Sequence, residues 1–293
     1  MLYALYNHSV LIPKNIDYLG IPHANKDNCA NIEVKFSDII FENKYFIDNQ
    51  FELKPDYGFY YREGFGLYEF TDGKVINISL EGKADISFFQ TLLNFPFACI
   101  FAQRGFLPIH ASAIRFRDKT ILFPGVTKMG KSSLAAILIK MGGQLITEDI
   151  ALFRISENEA RIIPSYPLIK ISDEVNKEIS FSSKEPLKIL KSDLKRNLFP
   201  IDHNDFYNKE SEVDFVIFPE WSETEGLMPI SQKNCLVKII SSNFFTSGIP
   251  LLEKNSLKNN HLVSKNAKCF EFNRSKDLKK LKKFQTEIEK VFS

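Results

Sequence analysis

The eight residues Gly125-Val126-Thr127-Lys128-Met129-Gly130-Lys131-Ser132 follow the pattern G-x-x-x-x-G-K-[ST], and they restrict what this chain can fold into more than any other segment. The pattern is specific when a strand precedes it and a helix follows. Residues 120–123, Thr-Ile-Leu-Phe, read as a buried strand, and residues 133–140 read as a helix closed by Gly142 and Gly143. In that setting the loop turns its N–H groups inward as an anion-binding nest, and the helix N-terminus adds partial positive charge. Gly125 and Gly130 permit backbone angles and a close approach that a Cβ would obstruct. Lys131 brings an ammonium group to the β- and γ-phosphates, and the Ser132 hydroxyl can ligate Mg²⁺. Ser133 carries the chain into the helix. The expected ligand is a nucleoside triphosphate, ATP by preference. A chance glycine turn is the bland alternative, and both flanks argue against it.

A metal bound to such a loop needs a carboxylate, which usually stands at the end of a neighbouring strand. Residues 144–147 read as a short strand, and Glu148-Asp149 follow it directly. Asp149 is the expected metal ligand, and Glu148 the expected general base for an attacking hydroxyl. Taken alone, an acidic pair is equally well a polar turn closing a strand. His110 lies in an apolar stretch, where a single histidine is more often structural than catalytic.

Around the loop, strands and helices alternate, which makes this part α/β. Residues 150–155 and 159–163 read as a hairpin, residues 213–218 as a buried strand, and residues 269–272 and 276–292 as a closing strand and amphipathic helix. The earlier part is different. Residues 31–36, 58–62, 65–70 and 74–80 are short and rich in aromatic and β-branched residues, and turns such as Thr71-Asp72-Gly73 separate them. Residues 85–104 switch to helical spacing, with Pro96 as a kink or break. The division is therefore a β-rich region at residues 1–84, suited to acceptor recognition through its strand edges, and an ATP-binding domain at residues 85–293.

Residues 110–149, HASAIRFRDKTILFPGVTKMGKSSLAAILIKMGGQLITED, resemble the core of HPr kinase/phosphorylase and its HPr-kinase-related relatives. A histidine before the loop, the loop itself and an acidic pair on the next strand fall at His110, residues 125–132 and Glu148-Asp149. The stretch 164–171 with Asp173 is also similar to those kinases. The resemblance implies a phosphoenolpyruvate-carboxykinase-like P-loop domain, ATP and Mg²⁺ as cofactors, and transfer of the γ-phosphoryl group to a serine hydroxyl of a peptide or small protein. It gives Glu148 the place of a catalytic carboxylate, Asp149 that of the metal ligand and His110 that of a histidine near the transferred phosphate. Three departures matter: Glu148 replaces the usual aspartate, Lys128-Met129 replace small residues, and no Arg-Pro-Gly-Arg segment is present. HPr itself and the reverse phosphorolysis are not expected. Shorter relatives that act on small peptides, lasso-peptide precursors among them, are the nearer match.

Composition bounds the partners. The 293 residues carry 38 Lys and Arg against 36 Asp and Glu, a net charge of +2, so nucleic acid and anionic membrane are not expected partners. Cys29, Cys99, Cys235 and Cys269 form no C-x-x-C pair and are expected to be free thiols in a reducing, cytoplasmic setting. No secretory signal is expected, and the apolar stretch 88–102 reads as too short to span a bilayer. Self-association is compatible with the chain. Lys195-Arg196 and Arg274 could add a cation to the site, but they read as solvated surface. The rival function is a nucleotide-gated accessory protein or ATPase that transfers no phosphate.

Overall fold

The computed structural model describes residues 1–25, 30–37, 45–182, 185–189, 196–245 and 249–292; Cys29 and Lys195 lie outside them. The fold is mixed α/β, with one sheet of seven strands, one of eight and one of three.

The seven-stranded sheet runs in the order Leu2–Leu5, His8–Leu11, Ile32–Phe36, Val75–Leu80, Gly66–Thr71, Tyr57–Arg62, Phe51–Leu53. Its last four strands form an antiparallel meander, and the hairpin at Asp72-Gly73 is closed by two residues of positive φ, 52° and 62°. The first hairpin turns at Tyr6-Asn7, with φ 52° and 57°. Tyrosine is a poor turn former, and no sequence signal marks that hairpin. Tertiary packing holds it instead: Tyr6 is fully buried, with its ring edge-on to Phe101 at 5.1 Å.

The helical region 85–104 forms two helices, Ile86–Leu92 and Phe95–Gln103. Asp85 caps the first by accepting from the Phe88 amide, and Pro96 sits in the opening turn of the second, where a missing N–H costs nothing. The break therefore falls at Leu93-Asn94, just ahead of the proline. The span Ile86–Gln103 is long and apolar enough to cross a membrane by length and composition, yet 67% of it is buried against the rest of the protein. It is a core element. Phe88 packs among Phe36, Phe65, Tyr68 and Phe89. The same hydrophobic cluster continues to Ile150, Leu152, Ile163 and Leu198, so residues of the N-terminal sheet and of the following sheets share one core.

In the eight-stranded sheet the order is Ala160–Ile163, Ile150–Ile155, Leu107–Phe116, Lys119–Pro124, Phe215–Trp221, Lys268–Arg274, Gly226–Pro229, and Gln144–Thr147 pairs with Leu107–Phe116 as well. Lys119–Pro124, Phe215–Trp221 and Lys268–Arg274 are parallel neighbours. The helix Lys131–Lys140 buries Leu134 through Ile139 in one cluster with Phe123, Ile217, Phe272, Phe284 and Ile288. On the other face, Cys235 and Ile239 of Gln232–Ser241 and Val263 of Ser256–Ser264 cover Ile109, Leu122 and Val216. Cys99, Cys235 and Cys269 are free and buried. The closing segment is a 3-10 turn, Leu278–Lys282, followed by the helix Lys283–Phe292, where one continuous helix was expected. The small sheet joins Leu168–Ser172, Arg196–Pro200 and Leu187–Lys188.

Phe88 is fully buried at the junction of sheet and helices. Phe88→Ala is expected to cost about 3–5 kcal/mol of unfolding free energy, seen as a lower denaturant midpoint at unchanged slope. A loss under about 1 kcal/mol would mean that the cluster closes over the gap.

Candidate functional site

The strand Leu107–Phe116 assembles the site, because it carries His110 and pairs with the strands that flank the glycine loop and the acidic pair. On one side it pairs with Lys119–Pro124, which runs into the glycine loop, Ala111 opposite Pro124. On the other side its first half takes Ile150–Ile155, with Ile150 opposite His110, and its second half takes Gln144–Thr147, with Thr147 opposite Ala113. Glu148-Asp149 lie where one pairing ends and the next begins. The register shifts just before them, between Leu145 and Thr147, and Asp149 adopts a positive φ of 62°. That is a strained conformation for a residue with a Cβ, of the kind often found at functional sites. The Gly125 amide then donates to the His110 carbonyl at 3.1 Å, docking the start of the loop on the histidine strand.

Beyond Gly125 the loop is open. Val126, Thr127 and Lys128 are exposed, and φ is positive at Gly125 (143°), Lys128 (74°) and Gly130 (100°). Among the described residues the amides of Val126 to Gly130 make no hydrogen bond within the chain. Unpaired N–H groups in sequence, ending at a helix N-terminus, suit an anion. Lys131 is buried and folds back, donating to the Val126 carbonyl at 3.0 Å. Burial brings its ammonium down to about 8. Ser133 lines the same cavity as Lys131 and Ser132, a space of about 250 Å³.

The acidic pair divides its contacts. Glu148 Oε1 accepts from the Ser132 hydroxyl at 2.6 Å. Asp149 Oδ2 accepts from Asn94 Nδ2 at 3.0 Å and from the Lys170 ammonium. His110 Nε2 stands 3.8 Å from Asp149 Oδ1, which is too long for a hydrogen bond, and its ring packs near Phe244 at 5.4 Å. Both carboxylates are buried. Burial and the adjacent Asp149 charge push Glu148 up to about 7. Burial would raise Asp149 too, but Lys170 and His110 outweigh it and hold that carboxyl well below its usual range. Burial keeps His110 below its ordinary value, on the neutral side.

Ser132 and Glu148, Asp149 and His110, and the start of the loop at Gly125 are thus joined in one place by direct contacts. Sequence reasoning missed three partners. Lys170 interrupts the apolar strand Leu168–Ser172, and that lone charge among Leu168, Ile169 and Ile171 was the available signal. Asn94 marked only a helix break. Arg196, read as solvated surface, lines the loop cavity together with Lys170. Arg274 also departs from expectation. It is 5% exposed, its guanidinium stacks on Trp221 at 4.5 Å, and an added Cβ at Gly130 would lie 2.2 Å from its Nη1. Buried among these groups, it sits at about 10, below its ordinary value. A Cβ would therefore strain Gly130 twice, through its φ and through Arg274.

The run of amides without a partner among the described residues would suit the phosphates of a nucleotide. Among the described residues there is no group of three or more His, Cys, Asp and Glu able to hold a metal. The Ser132, Glu148 and Asp149 set is nonetheless what Mg²⁺ uses when phosphate and water complete its shell.

No family model matches the chain, and no curated protein matches it. Among solved structures, the Hpr(Ser) kinase/phosphatase from Coxiella burnetii matches at 14% identity over 63% of this chain and 97% of that chain, with a TM-score of 0.32. A likeness at that level adds no weight to the geometry of the chain itself.

Gly130→Ala should weaken binding of a fluorescent ATP analogue by at least about tenfold, while the melting temperature stays within a few degrees. Unchanged binding would show that the loop does not need Gly130.

Proposed function

We propose that the chain is an ATP- and Mg²⁺-dependent kinase that transfers the γ-phosphoryl group to a hydroxyl. A serine of a peptide or small protein is the acceptor implied by the resemblance of residues 110–149 to HPr-kinase-like proteins. One observation carries the reading: unpaired loop amides and Lys131 lie beside a buried carboxylate pair, at the meeting point of two cavities that share Lys170 and Arg196. Phosphoryl transfer asks mainly for positioning and charge neutralisation.

In this reading the Val126 to Gly130 amides and Lys131 hold the triphosphate. Ser132 and Glu148, already in contact, hold Mg²⁺ with Asp149 beside them. Bound there, the metal would neutralise charge on the β- and γ-phosphate oxygens. Asp149 lines the second cavity with His110 and receives the acceptor's proton. The sequence had put Glu148 on the proton and Asp149 on the metal; the contacts of Ser132 and the position of Asp149 favour the exchange. A carboxyl of low proton affinity serves here, since kinases use an ionised aspartate to accept the hydroxyl proton late in a loose transition state. Lys170 pairs with Asp149 and stands with Arg196 where charge would pass between the cavities.

With labelled ATP, Lys131→Ala should lose nucleotide binding and transfer together. Asp149→Asn should keep Mg²⁺-dependent nucleotide binding and lose transfer by roughly a hundredfold or more, the lower end of a general-base contribution. Glu148→Gln should weaken the Mg²⁺-dependent part of binding as well as transfer. Normal turnover in Lys131→Ala overturns the kinase assignment, and a reversed pattern for the two carboxylates restores the roles read from sequence.

A further inference from the structure

The larger of the two cavities, about 440 Å³, is lined by Thr127 of the loop together with His110 and Asp149. Asn49, Tyr60 and Arg62 of the N-terminal region form part of its wall, and Gln90, Asn94 and Phe95 of the helical region form another. Its volume is that of a small-molecule site, enough for the few linked atoms around a reacting hydroxyl. Three cations line it, Arg62, Lys170 and Arg196, against the single carboxylate of Asp149. Lys170 is already paired with Asp149. Arg62 is ion-paired with Asp48, so Arg196 supplies the positive surplus among the described residues, and an anion would balance it.

Arg62 is the group built to receive one. Its Nη1 donates to Asp48 Oδ2 at 2.5 Å and to Asn49 Oδ1 at 3.1 Å, which fixes the guanidinium. Its Nε and Nη2 make no hydrogen bond among the described residues. Those two nitrogens are the edge through which arginine grips a carboxylate by parallel N–H bonds. Held by Asp48, that edge is ordered before anything binds, so little rotamer entropy is lost on binding.

We propose that this cavity is the acceptor site of the kinase and that it takes a hydroxyl compound carrying a carboxylate, the carboxylate held by Arg62 and the hydroxyl presented to Asp149. This rests on the phosphotransfer reading. The hydroxyl oxygen forms a bond to the γ-phosphorus, the bond from that phosphorus to the β,γ-bridging oxygen breaks, ADP leaves, and the hydroxyl proton passes to Asp149. The same chemistry is presented by a free hydroxy acid and by a serine next to an acidic residue in an extended peptide.

The test uses the full chain with Mg²⁺ and labelled ATP. Glycerate is compared with glycerol, and a Ser-Asp peptide with its Ser-Asn counterpart; the two pairs separate the two sources. The carboxylate member of at least one pair should be preferred by roughly tenfold or more in kcat/KM. Arg62→Gln should abolish that preference by raising the acceptor KM about tenfold, with kcat and the KM for ATP little changed. Arg62→Lys, which keeps the charge without the fork, should fall between, and the unchanged KM for ATP shows that both variants are folded. Equal use of neutral and anionic acceptors, an unmoved KM in Arg62→Gln, or ATP binding without transfer to any of the four acceptors overturns the acceptor assignment. Absence of ATP binding and turnover overturns the kinase reading instead.

Discussion

The pairing of Leu107–Phe116 with three other strands is the constraint on which the rest of the site depends. A ten-residue strand offers a ladder on each side. One ladder delivers the chain to the glycine loop. The other is shared by two shorter strands, and Glu148-Asp149 join them without leaving it, since the Ala111 amide donates to the Asp149 carbonyl at 3.2 Å. Had Gln144–Thr147 and Ile150–Ile155 formed one unbroken strand, alternation would have sent one of the two carboxylates to the opposite face. The left-handed Asp149 breaks that alternation, with Glu148 at Ser132 and Asp149 near His110.

Charge is concentrated there to a degree that an isolated sheet end would not sustain. Lys131, Glu148, Asp149 and Lys170 are all largely buried, and removing such charges from water costs several kcal/mol each before any pairing. Lys170 offsets part of that cost at Asp149, and the Ser132 hydroxyl part at Glu148. The remaining surplus is positive and lies toward the loop, where Lys128, Lys131 and Arg196 face the smaller cavity with Glu174 as the carboxylate on its lining. An incoming polyanion would complete a set of charges that the chain alone leaves unbalanced. Arg274, buried behind Gly130 without an acidic partner among the described residues, adds to the same field from below.

The N-terminal sheet is bound into this arrangement by packing and by contact. The aromatic cluster around Phe88 and Phe101 continues into the strands that carry the acidic pair, so the sheet cannot shift without disturbing Ile150 and Leu152. Asn94, in the break between the two helices, touches Asp149 directly. Asn49, Tyr60 and Arg62 reach the larger cavity from the body of the sheet and from the turn before its edge strand, whereas sequence reasoning had looked to the strand edges themselves.

What the sequence by itself determined was local. The glycine loop between strand and helix, three strands of the meander, the helical spacing of 85–104 and the acidic pair after a strand all show in short windows, because periodicity and turn chemistry act between near neighbours. His110 belongs with the loop in sequence and in space. The hairpin at Tyr6-Asn7 was hidden because distant aromatic packing, and not turn chemistry, sustains it. Lys170, Arg196 and Arg274 were equally hidden: a lone cation looks the same on paper whether it is solvated or buried. Only the tertiary structure decided that they converge, that Ser132 faces Glu148 while Asp149 faces the second cavity, and that Arg62 stands on that cavity's wall. Those facts depend on strand order and register across the whole chain, and long-range pairing leaves no trace in the spacing of adjacent residues.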